Sequence, residues 1–144
     1  MDPVTAVSLA SSITDLAELT FNVFANLYKY YRNIRDAPAR SAELRQELDI
    51  LLDILGTAQE YVERHPGELF GPTLIEELSS LRQLLSDLER RTRPQSTAGF
   101  RRLQWPFHAS ENDHILSRIQ RHKSNLMFRF DLHQSYRSLD PCFV

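Results

Sequence analysis

The sequence predicts an all-α fold: an antiparallel four-helix bundle with a long loop before the last helix. Three observations lead there. Apolar residues recur at spacings of three and four along nearly the whole chain, with no sustained two-residue alternation. Breaks rich in proline and glycine cut that pattern into four segments. All but one of the connections are short, which favours antiparallel neighbours. At 144 residues, 42% hydrophobic and 25% charged, the chain has the length and composition of one domain with a real core. The bundle is assigned to residues 1–137 and a C-terminal tail to residues 138–144.

The first segment places Ala6, Leu9, Ile13, Leu16, Thr20, Val23, Leu27, Tyr30 and Ile34 on one stripe. Asp2 followed by Pro3 reads as an N-cap with proline at the first helical position, where a missing N–H does no harm. "RDAP" (35–38) ends the helix. The second segment carries Leu44, Leu48, Leu51, Leu55, Ala58 and Val62. Its Gly56 is mildly costly in a helix interior, and close packing against a neighbour is the expected reason.

"HPGELFGP" (65–72) closes the second segment, and Thr73 with Glu76 predicts a capping box for the third. That helix shows Leu74, Leu78, Leu81, Leu85 and Leu88, and Pro94 stops it. Ser110 with Asp113 predicts the same cap for the fourth, which reads Ile115, Ile119, His122, Leu126, Phe130, His133. The connection "PQSTAGFRRLQWPFHA" (94–109) is long and holds the only tryptophan. Trp105 and Phe107 are expected to pack on the bundle, and a loop of this length is a candidate partner surface.

Charge is divided along the chain. Residues 1–89 hold 7 Lys/Arg against 15 Asp/Glu, and residues 90–144 hold 10 against 4. Complementarity within one bundle explains this split more simply than nucleic acid or anionic lipid does. The arginines at 90, 91, 93, 101 and 102 form an acid-free cluster in sequence, read as a solvated helix end and loop, with lipid headgroups as the next choice. No recognition helix or stacking platform accompanies them, so nucleic acid is not an expected partner.

Catalytic signatures are missing. There is no Gly-rich phosphate loop and no GxSxG elbow. Glu111-x-x-His114 is half of a di-iron carboxylate motif without its second copy. His122 and His133 fall on the apolar stripe, where a histidine is usually a satisfied core residue. Cys142 rules out a disulfide within the chain and lies one place short of a prenylation box. Neither enzyme activity, metal nor cofactor is expected.

The N-terminal stretch "MDPVTAVSLASSITDLAELTFNVFANLYK" raises a sharper question. Its first 28 residues hold no Lys or Arg, so it lacks the basic region of a signal peptide. Its longest uncharged run, Pro3–Thr14, is shorter than the roughly 18–20 apolar residues of a membrane span. Asp15 and Glu18 each oppose insertion by ~2.5–3.5 kcal/mol near a bilayer centre. A lone copy of this helix should stay out of the membrane.

"MDPVTAVSLASSI", "RDAP", the leucine-rich second helix and "LQWPF" (103–107) occur together in an order that resembles the HeLo-like N-terminal domain of fungal STAND (NLR-type) proteins. The resemblance spans roughly residues 1–135 and extends to the HeLo and necroptosis-executioner four-helix bundles. It implies a cell-death and innate-immunity effector, of the kind that acts in heterokaryon incompatibility. In that group a nucleotide-binding receptor, in cis or in trans, drives homo-oligomerisation, and the N-terminal helix then enters and permeabilises the plasma membrane. The resemblance implies a domain that is cytoplasmic at rest. No nucleotide-binding domain follows residue 135, so the sequence is either an excised domain or a short stand-alone protein, and its trigger is open.

Carried onto this chain, the membrane-inserting residues would be Val4, Val7, Leu9, Ile13, Leu16, Leu19, Val23, Phe24 and Leu27. Asp15 and Glu18, three apart and on one helical face, would line an aqueous lumen. Lys29, Arg32, Arg35, Arg101 and Arg102 would meet anionic lipid headgroups or a partner. The competing expectation is a helical protein–protein or oligomerisation module of a STAND receptor that never enters lipid.

Overall fold

The computed structural model describes residues 4–33, 41–93 and 106–138. They form α1 (Ala6–Asn33), α2 (Ser41–Arg64), α3 (Pro72–Thr92) and α4 (Ala109–Ser138), with a small antiparallel ribbon of β1 (Val4–Thr5) and β2 (Leu69–Phe70). The fold is an all-α four-helix bundle. The stripes read from sequence become its core. Leu9, Ile13, Leu16, Val23 and Leu27 of α1 are buried together with Leu44, Leu48, Leu51 and Leu55 of α2, and Leu78, Leu81, Leu85 and Leu88 of α3. Ile115, Ile119, Leu126 and Phe130 of α4 complete it. Leu84 and Leu116 join them, since a core stripe is wider than one residue per turn.

Consecutive helices run antiparallel. Arg45, early in α2, lies over Phe24 and Tyr28, late in α1. Glu77, early in α3, meets His122 midway along α4, and Arg91 near the end of α3 meets Glu111 near the start of α4. The remaining neighbours are parallel: α1 follows α3, with Asp15 near Arg82 and Asn26 bonded to Thr92. Likewise α2 follows α4, with Glu47 on Lys123 and Tyr61 near Phe130. α1 therefore sits diagonal to α4, and α2 diagonal to α3.

The α2–α3 connection must cross one end of the bundle, and "HPGELFGP" is built for it. The His65 ring N–H donates to the Tyr61 carbonyl at 2.8 Å, and the Glu68 N–H closes a turn onto His65 O at 3.0 Å, with Pro66 and Gly67 at its corners. Leu69 and Phe70 then pair with Thr5 and Val4. Phe70 is fully buried among the Tyr61 and Phe130 rings, with centroids at 6.3 and 6.1 Å. Edge and tilted ring pairs of this kind stabilise beyond their buried area.

Four expectations about helix ends and interiors are corrected. The first helix starts at Ala6, not Pro3, because Val4 and Thr5, both β-branched, pair as a strand and the Ala6 N–H is taken by Glu68 O at 2.9 Å. α3 is not capped by Thr73 and Glu76: its N-cap is Gly71, without a side-chain bond, and Pro72 occupies the first turn, leaving Thr73 already inside the helix. α4 starts at Ala109, so Ser110 lies past the cap. Glu111 reaches back to the His108 N–H at 3.4 Å, which is half a capping box set two residues earlier than Ser110–Asp113. Gly56 is exposed, and a Cβ there would meet nothing within 4 Å, so close packing does not explain it. α3 does end before Pro94: Arg93 has ψ 127°, the extended conformation a following proline imposes.

Candidate functional site

α1 is the element on which the functional expectations converge. Its 28 residues span about 42 Å at 1.5 Å per residue. Leu9, Ile13, Leu16, Val23 and Leu27 are at most 1% exposed, while Leu19 and Phe24 are partly buried against the same core. The stripe proposed to enter lipid is thus the stripe that α2 and α3 cover. Thr20, also buried, is satisfied because its hydroxyl donates to the Leu16 carbonyl at 2.7 Å. Val4 lies on β1 rather than on the helix, and the side chains of Val4 and Val7 are outside the described residues.

Asp15 and Glu18 point away from the core. Both are exposed and line a groove between α1 and α3 with Arg82, Ser86, Glu89 and Arg93. Asp15 Oδ2 stands 3.9 Å from the Arg82 guanidinium, a solvent-screened pair worth little to stability. Lys29 is exposed one turn before the end of α1. The Arg32 side chain, Arg35, Arg101, Arg102 and Trp105 lie outside the described residues. Phe107 is buried, as expected, beneath the Arg91 guanidinium at 4.8 Å from its ring centre.

The arginine cluster is not acid-free in three dimensions. Arg90 pairs with Asp87, Arg91 with Asp87 and Glu111, and Arg93 forks onto both oxygens of Glu89 at 2.8 Å. Hydrogen bonding from Arg93 holds the Glu89 carboxyl below the ordinary glutamate value, and Glu89 in turn raises Arg93. Hydrogen bonding from Arg91 lowers Glu111 likewise. Arg91, through Glu111, ties the end of α3 to the start of α4, while Arg90 and Arg93 pair with acids of α3 itself; Glu111, half of the sequence's metal-like motif, is committed to that tie.

The residue that sequence reading missed is Glu77. Its carboxylate accepts the His122 Nδ1–H at 2.8 Å and lies 3.4 Å from the Asn125 amide, between α3 and α4. His122 is a satisfied core histidine, as its place on the stripe suggested, but its partner was unmarked. The available signal was spacing: Glu77 stands three after Leu74 and four before Leu81, on the flank of the apolar stripe. Lys123 bonds Glu47 at 2.7 Å and ties α4 to α2 in the same way.

Among the described residues no helix is long and apolar enough to cross a membrane, and no three His, Cys, Asp or Glu side chains gather as a metal site. The chain matches no protein-family model, no curated protein and no solved structure.

Proposed function

We propose that this chain is a cell-death effector domain of the HeLo-like kind, which on assembly of several copies releases α1 and permeabilises a membrane. The observation that carries the reading is the division of α1 into two faces. One face is a stripe hidden in the bundle, apolar but for the satisfied Thr20, and the other carries Asp15 and Glu18 in water. Released, a helix of about 42 Å exceeds a hydrocarbon core of about 30 Å. In an assembly the acids face a shared aqueous lumen and not lipid, which removes most of their insertion cost. Anionic lipid meets Lys29 and the basic residues beyond it, and an NLR-type receptor supplies the assembly.

Magnitudes explain why a single copy stays closed. Exposing Leu9, Ile13, Leu16, Val23 and Leu27 costs ~1.5–3 kcal/mol each, together on the scale of a whole domain's stability. Release therefore needs assembly and lipid to take up the stripe at once. The test is dye leakage from anionic vesicles, with the protein alone and fused to an inducible dimeriser. Leakage only on forced assembly supports the reading; none in either state overturns it.

A second reading, a protein–protein module without membrane action, is favoured by one observation: Met127 and Phe128 of α4 are 49% and 63% exposed. Apolar side chains of that size on an outer face suit a partner.

A further inference from the structure

We propose that the furrow between α2 and α4 is a docking groove for a basic amphipathic helix from a partner protein. This goes beyond the membrane reading and does not depend on it. The furrow encloses about 310 Å³. Its walls are apolar: Ile50, Ile54 and Tyr61 from α2, and Leu126, Met127 and Phe130 from α4. From Ile50 to Tyr61 it runs three turns, about 16 Å at the helical rise. That length seats one face of a helix with anchors at i, i+3 or i+4, and i+7. Met127 on this wall is 49% exposed, so an apolar side chain stands open to a partner.

Charge selects the occupant. Asp53 and Asp131 flank the furrow from opposite helices, and among the described residues no lysine or arginine lines it. Farther out, α2 exposes Asp49 and Glu60, and Arg64 stands only beyond Tyr61, in the last turn of the helix. Lys123, on α4 one turn before Leu126 and Met127, is already held by Glu47. A second copy laid face to face would bring Asp53 and Asp131 against their own kind, which opposes self-docking. A helix with leucines inward and lysines at its edges meets both the floor and the rim.

Met127 supplies a local probe, because the chain has two methionines and the other is Met1. The protein, carrying ¹³C-methyl methionine, is titrated with an 18-residue helical peptide that places leucine at i, i+3, i+4 and i+7 and lysine elsewhere. A second titration uses the same peptide with glutamate for lysine. The lysine peptide should shift the Met127 methyl resonance and bind at least tenfold tighter than the glutamate peptide. Reversing both rim acids, Asp53→Lys with Asp131→Lys, should weaken it at least tenfold; both are exposed, so the fold survives. Met127→Lys, also exposed, should do the same from the wall, read by fluorescence anisotropy of the labelled peptide because this variant lacks the methyl probe. An unmoved Met127 methyl, equal binding of the two peptides, or affinity indifferent to the rim reversal overturns the proposal. So does a concentration-dependent dimer that Met127→Lys dissolves, which would assign the groove to a second copy.

Discussion

A carboxylate with little access to water survives in a helical core only where donors surround it, and Glu77 has two. The His122 ring and the Asn125 amide both reach it, across an α3–α4 contact in which leucine and isoleucine are the buried apolar residues around it. Glu77→Ala should lose about 1–3 kcal/mol, because it strands the buried His122 donor. Glu77→Leu with His122→Leu removes both ends and should recover much of that loss. Urea denaturation of Glu77→Leu, His122→Leu and the double measures the coupling. Gly56 carries the opposite expectation. It is exposed, with open space where a Cβ would go, so Gly56→Ala should stabilise by about 0.8–1 kcal/mol through helix propensity alone. Glu111 adds a pH dependence. Arg91 lowers its carboxyl in the folded state, so its contribution is complete above the unfolded value near ~4.3 and fades as pH falls through the folded one. The stability gap between wild type and Glu111→Gln should therefore narrow on acidification, and thermal melts between neutral and acid pH would show it.

At the scale of elements, the helical stripes were legible because burial repeats with the helix and leucine dominates it. Their ends were not. The Thr73–Glu76 pattern looks like a cap, yet Gly71 and Pro72 solve the same problem with backbone geometry and no side-chain bond. Thr73→Ala should accordingly change stability by less than about 0.5 kcal/mol, where loss of a true cap costs typically ~1 kcal/mol. The β1–β2 ribbon was invisible for a related reason: two residues on each side are too few to show alternation. α1 shows how the core constrains functional tests. Leu16→Ala should cost about 2–5 kcal/mol, as a large-to-small change in a packed core. Ile13→Glu, attractive for blocking entry into lipid, would bury a charge in the resting bundle and unfold it first. Asp15→Asn with Glu18→Gln leaves the bundle intact, since both acids are exposed. In planar bilayers it should reduce cation selectivity without reducing leakage.

For the whole molecule, sequence disclosed four helices but not which of them touch. Short connections suggested a simple antiparallel order, whereas the α2–α3 crossing makes α1 a parallel neighbour of α3, and α2 of α4. Periodicity says which face of a helix is apolar, not which helix covers it. The candidate site was half legible. The two faces of α1 stood in the sequence, but their closure by the ribbon at one end and the Asn26–Thr92 bond toward the other did not. That closure bears directly on the proposed function, because α1 could not cross a bilayer while its N-terminus stays joined to the α2–α3 connection. Thr5 and Leu69 are register partners, so Thr5→Cys with Leu69→Cys, in a chain where Cys142 is serine, places two thiols across the ribbon. The decisive measurement is leakage from anionic vesicles by this variant under forced assembly, oxidised and then reduced. Release of α1 predicts intact vesicles while the disulfide holds and leakage when reductant opens it; equal leakage in both states would contradict it.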